Sequence, residues 1–148
     1  MIEVRYPLPG DAAHLGLRLR AGDEAEVRAA GLEPVEAVEI SVGNSHEAWV
    51  AVEDGVVIAA WGYTALGLFS EAEVWLLTAP EVERHRKLFL KLNHDFLAGV
   101  LEHHGAAVCH VHADYTKAVR WLAWLGFQQT GKVYLNGAEF FEMRLRRH

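Results

Sequence analysis

The chain has 148 residues, 51% of them hydrophobic, which suits one domain with a real core rather than a disordered polymer. Its formal net charge is −6, and its basic residues gather in two short places, 84–91 and 144–147, so no broad basic face is offered to a nucleic acid. A single cysteine, Cys109, rules out an intrachain disulfide, and no apolar run is long enough to span a membrane. The amino terminus lacks the apolar stretch of a signal peptide, so the expected location is the cytoplasm.

Residues 2–6 alternate apolar and polar, which predicts a strand ended by Pro7, Pro9 and Gly10. Asp11 suits the N-cap of a helix through about Arg20. A second helical stretch starts near Asp23, breaks around Gly31 to Pro34 and resumes to about Val42. Acids crowd this region: Asp23, Glu24, Glu26, Glu33, Glu36 and Glu39 stand against one Arg28. Residues 46–52 and 56–63 read as strands joined by Asp54-Gly55, a strong hairpin signal. A loop over 64–72 and a strand over 73–78 follow.

The longest predicted helix covers 81–103, with Phe89, Leu92, Phe96 and Val100 along one stripe and Gly105 as its stop. Residues 107–113 form a strand. Residues 115–125 form a helix ended by Gly126, and 127–130 and 138–145 are closing strands. The strand–helix–strand unit around the long helix implies a partly parallel sheet with a right-handed crossover.

This order of elements resembles the GNAT (N-acetyltransferase) superfamily over nearly the whole chain, as a single domain of residues 1–148. The sharpest local likeness is Tyr115 to Phe127, where Ala118, Val119, Leu125, Gly126 and Phe127 fit the family's second conserved stretch. The resemblance implies an α/β (α+β) fold. It would have a mixed, mostly antiparallel central sheet, a splayed parallel strand pair and helices on both faces. It also implies a glycine-rich loop before the long helix, which holds the pyrophosphate of acetyl-CoA on backbone N–H groups. Here that joint is Thr78-Ala79-Pro80-Glu81-Val82-Glu83, without glycine and with Pro80 lacking an N–H. The tyrosine that many members use as an acid falls on Leu122, and the family's asparagine falls on Tyr115.

A narrower stretch is similar to a family of short podophage proteins known as internal virion protein A, which share a degenerate GNAT-like domain. The likeness runs over about residues 15–130, through Leu19 to Val27, Ser45 to Trp49, Trp75 to Thr78, Glu83 to His85, Phe89-Leu90, Ala113-Asp114 and Arg120 to Phe127. It implies a phage or prophage protein, without enzymatic activity, in virion assembly or structure. Such a protein would sit in the host cytoplasm or the virion, with no cofactor and with other phage or host proteins as partners. The alternative is an active N-acetyltransferase using acetyl-CoA with an atypical phosphate site. Glu73 or His112 would then be the base, and Leu77, Arg84, Arg86, Lys87 and Tyr115 the candidate cofactor contacts.

His110, His112 and Asp114 alternate along one strand, but spacing fixes no further ligand, so no bound metal is expected. Trp49, Trp61 and Trp75 lie on three successive strands and read as core. Trp121 and Trp124 are three apart on one helix, either core or an exposed aromatic patch for another protein.

Overall fold

Among the described residues, seven strands build one sheet: β1 (Ile2–Arg5), β2 (Glu47–Glu53), β3 (Val56–Ala65), β4 (Ala72–Thr78), β5 (Ala106–His112), β6 (Gln128–Leu135) and β7 (Ala138–Arg146). Their spatial order is β1-β2-β3-β4-β5-β7-β6, antiparallel throughout except for the parallel β4–β5 pair. The computed structural model describes residues 1–147 other than Leu66, Leu68 and Phe69. Part of the loop expected over 64–72 falls on those three and lies outside the described residues.

Helices α1 (Asp11–Gly16), α2 (Ala21–Ala29) and α3 (Pro34–Asn44) come before β2; α4 (Arg86–Leu101) and α5 (Thr116–Trp124) flank β5. Leu15 of α1 and Val38 of α3 are fully buried in one core cluster with Ile58 and Ala60 of β3. On the other face Phe89 of α4 meets Trp61 edge-on at 6.2 Å, and Phe96 tilts against Tyr63 at 6.2 Å. The stripe of Val119, Leu122 and Leu125 packs α5 onto Cys109, Val111 and Met143. This is the expected mixed sheet with helices on both faces and a crossover helix between its two parallel strands.

Three boundaries differ from the sequence reading. The helix from Asp11 stops at Gly16 because the next segment runs to the end of β4, where the Arg20 N–H donates to the Thr78 carbonyl at 2.8 Å. The long helix begins at Arg86, preceded by a 3-10 turn from Pro80 to His85. Pro80 opens that turn, and Arg18 and Arg20 hold its Glu81 and Glu83. The closing strands are longer than expected and form a hairpin through Asn136-Gly137, with φ of 51° and 80°. Asp54-Gly55 makes the same left-handed pair at the expected hairpin.

Of the five tryptophans, Trp61 is buried, while Trp49, Trp75 and Trp121 are half-buried and packed against the core. Trp124 is 57% exposed, so the helix pair divides: Trp121 turns inward, donating to Asn93 at 3.0 Å, and Trp124 faces out.

Gly126 ends α5 at φ 102°, with its N–H on Ala123 and the Phe127 N–H on Leu122. A side chain there would sit in the left-handed region, and its Cβ would meet Leu145 at 3.1 Å. Gly126→Val should therefore cost about 1–2 kcal/mol in urea unfolding. Unchanged stability would contradict the left-handed assignment.

Candidate active site

Among the described residues, two pairs join β4 to β5, Ala72 with Ala107 and Glu73 with Val108. Beyond them the strands diverge, and the inward main-chain groups of both arms lose their natural partners. An unpaired buried N–H costs on the order of 1–3 kcal/mol, so each needs another acceptor. Helix α2 supplies two. Asp23 and Glu26 stand three apart, hence on one helix face. Asp23, 4% exposed, accepts the Thr78 N–H at 2.6 Å and the Thr78 hydroxyl at 2.7 Å on the β4 arm. Glu26 accepts the His112 N–H at 2.9 Å on the β5 arm.

Tyr115, at the start of α5, closes the arrangement by donating its hydroxyl to Asp23. Its ring lies against Gly22, where an added Cβ would come within 2.4 Å of the ring, so only glycine permits this approach. Arg20 packs over the same ring at 5.8 Å and donates to Glu83 at 2.8 Å. Lys117 of α5 reaches the same Glu83 carboxylate at 3.3 Å.

The split opens onto a cavity of about 370 Å³. Its walls are largely apolar, and Asp23, Glu26, Glu73 and Glu83 are its acids. Arg86, Lys117 and Arg120 are exposed cations on its lining. Burial among these walls pushes the Glu26 carboxyl up to about 7, reinforced by Asp23 and partly offset by the His112 N–H and by Arg20. Burial and the Asp23 carboxylate hold the Tyr115 phenol well above the ordinary tyrosine range. Burial opposes ionisation of Glu83 too, but hydrogen bonds from Lys117 and Arg20 outweigh it and leave that carboxyl below its usual value. The Cys109 thiol is raised to about 12 by burial, with Glu26 and Glu73 adding to the effect, so it is an inert core group.

The candidates named from sequence are dispersed. Glu73 is exposed, sits at the last paired position and lines the cavity. His112 contributes its main-chain N–H, while its imidazole leans on Phe140 at 5.2 Å. Leu77, Arg86 and Tyr115 line the cavity. Arg84 instead pairs with Glu53 at 2.8 Å, a carboxylate it shares with His85 at the end of β2, and Lys87 is exposed outside the cavity lining. No group of three metal-ligating side chains occurs among the described residues, and His110 joins the cavity wall.

Sequence reasoning missed Asp23, Glu26 and Arg20. Asp23 and Glu26 were hidden in an acidic run that reads as a solvated helix face. Their i, i+3 spacing beside Gly22 was the available signal.

No protein-family model and no curated protein matches the sequence. Solved structures do match its shape. AAC(6')-Ib, in complex with ribostamycin and coenzyme A, superposes with a TM-score of 0.73 at 15% identity, covering 99% of this chain and 93% of its own. A protein from Desulfovibrio desulfuricans, described as an acetyltransferase of the GNAT family, gives 0.70 at 18% identity over 99% of both chains. A spermidine N-acetyltransferase SpeG chimera of Vibrio cholerae and hSSAT gives 0.69 at 17% identity, covering 98% of this chain and 95% of its own. The chain has the GNAT fold.

These comparisons lend no support to the resemblance to internal virion protein A, nor to the phage or prophage setting it implied. The expectation that no cofactor is used is likewise unsupported, since a GNAT-fold neighbour is solved with coenzyme A.

The elevated Glu26 carboxyl has a consequence for stability. A carboxyl raised from 4.5 to about 7 by folding is protonated more readily in the native state. Its stabilising contribution is present below about pH 4.5 and is lost as pH rises through 7, a difference of about 3 kcal/mol. Glu26→Gln keeps an acceptor for the His112 N–H but cannot titrate. Urea unfolding between about pH 5 and pH 8 should show the native protein losing stability relative to this variant. Parallel pH profiles for the two proteins would contradict the placement of Glu26.

Proposed function

We propose that the chain is an N-acyltransferase that takes acetyl-CoA into the β4–β5 split and acylates an amine. The observation that carries this reading is a carboxyl titrating near neutrality, Glu26, in the wall of a cavity opened by two diverging strands. A base with a pKa close to the working pH is the one best matched to removing a proton from an ammonium group.

The residues present fit the cofactor in an unusual way. The largely apolar cavity suits a pantetheine arm. The joint before α4 offers few backbone donors, because Pro80 has no N–H and no glycine allows close approach. Arg86, Lys117 and Arg120 on the cavity lining would meet the phosphates through side chains instead. When bound, acetyl-CoA supplies a thioester carbonyl open to attack and a thiolate leaving group.

Glu26 takes the proton of the incoming amine, and Asp23, Glu73 and Glu83 make the cavity attractive to a cationic acceptor. Asp23 and Tyr115 position α2, and with it Glu26, across the split. No acid is needed at Leu122, because a thiol with an ordinary pKa of about 8.5 leaves readily as its anion. A spermidine N-acetyltransferase among the structural neighbours fits an amine acceptor.

The test is a thermal-shift titration with acetyl-CoA. A ligand at 100 times its Kd stabilises by about 2.7 kcal/mol, a shift of several degrees for a domain of this size. A saturable shift is expected, weakened about tenfold or more by Arg86→Ala combined with Arg120→Ala. Acetylation of an amine panel should then show kcat/KM rising with pH through about 7, a limb lost in Glu26→Gln. Absence of any shift at millimolar acetyl-CoA would overturn the proposal.

A further inference from the structure

A second cavity of about 430 Å³ lies between β2, β3 and the later turns of α4, with Trp61 and Phe96 standing between it and the first cavity. Its floor is aromatic: Trp49 and Trp61 are cross-strand partners on β2 and β3, and Tyr63 follows on the same face. Phe96 and Gly99 of α4 line the opposite side, and His104 lies just beyond the end of that helix. The Tyr6 ring stacks on Trp49 at 4.4 Å and the Trp49 indole N–H donates to Glu47 at 2.7 Å, so the floor is fixed in place.

Three features point to the chemistry of a ligand. Aromatic faces attract cations through their quadrupole, most strongly when the cation is desolvated. Two carboxylates, Glu47 and Asp95, belong to the lining; Lys91 pairs with Asp95 at 2.8 Å, so Glu47 is the carboxylate left to meet a cation. The third feature is His104, which is 6% exposed. Its Nδ1 lies 2.8 Å from the Ser70 carbonyl, an acceptor only, so that nitrogen carries the proton. In the neutral ring Nε2 is then an acceptor, and it has no hydrogen-bond partner among the described residues. An accessible acceptor beside an aromatic pocket that carries a carboxylate suits an N–H donor that is also a cation.

We propose that this groove is a binding site for a small alkylammonium ion, separate from the acyl-transfer cavity. The ammonium lies over the aromatic floor, facing Glu47, with one N–H given to His104 Nε2. The alkyl chain runs along Leu92 and Phe96. This site does not depend on whether the split binds acetyl-CoA.

Putrescine is a suitable probe, followed by tryptophan fluorescence, because Trp49 lines this groove and not the first cavity. Saturable quenching is expected, weaker for tetramethylammonium, which has no N–H to give. Glu47→Gln keeps an acceptor for the Trp49 indole but removes the charge, and should weaken putrescine about fivefold. Gly99 has open space where a Cβ would stand, so Gly99→Leu fills the groove without meeting backbone and should abolish the signal while the protein stays folded by circular dichroism. Glu26→Gln, in the other cavity, should leave the affinity unchanged. Quenching that is absent at millimolar putrescine, or that persists in Gly99→Leu, would overturn the site. Quenching lost in Glu26→Gln alone would place the amine in the acyl-transfer cavity and overturn it equally.

Discussion

Two parallel strands that pair for two residues and then part leave main-chain donors stranded inside a protein, and the rest of this site follows from how they are satisfied. Water could do it, but then the split would be wet and α2 would have no fixed seat. The chain instead lays a helix across the gap and gives each arm a carboxylate, Asp23 to Thr78 and Glu26 to His112. A charge-assisted hydrogen bond to a backbone N–H is about twice as strong as a neutral one, which suits the Asp23 contact on the β4 arm. Tyr115 and Gly22 are consequences of the same seat: the phenol completes Asp23, and the missing Cβ lets the ring approach the helix.

The two carboxylates meet different surroundings. Asp23 is enclosed by three donors from Thr78 and Tyr115, with an Arg20 nitrogen at 3.4 Å. Glu26 has one backbone donor, apolar walls and a neighbouring acid, and its carboxyl rises to about 7. Two similar groups three residues apart thereby separate into a structural acceptor and a titratable one, a division seen wherever environments push paired acids apart. The proposed base is thus a by-product of closing the split, placed at its mouth by the same helix that seals it. Glu83 shows the opposite balance: Arg20 and Lys117 hold it charged at the cavity edge.

Much of the fold was legible in the sequence. Alternation marked the strands, Asp54-Gly55 marked a hairpin, and the stripe from Phe89 to Val100 marked the crossover helix. The hairpin at Asn136-Gly137 was missed because β6 is largely exposed and kinked at Gln129 to Gly131, so alternation never became regular. The start of α4 was missed because Pro80 suits the first turn of an α-helix and a 3-10 turn alike, and the Arg18 and Arg20 that hold this turn lie some sixty residues away. The site was harder still. Leu77, Arg86 and Tyr115 were named and do line the cavity, but Asp23 and Glu26 gain their meaning only from strands far along the chain. An acidic run looks the same whether it faces solvent or a gap in a sheet.

Carboxylates of α2, rather than strand neighbours or solvent, satisfy the backbone of the opened strands at Thr78 and His112. Native-state amide hydrogen exchange at Thr78 and His112 tests it most directly, because neither N–H donates to a strand across the split. Both amides should be strongly protected in the native protein, and Asp23→Ala should release Thr78 far more than the amides of the β2–β3 ladder. Exchange of Thr78 and His112 at the rate of open loop amides in the native protein would contradict it.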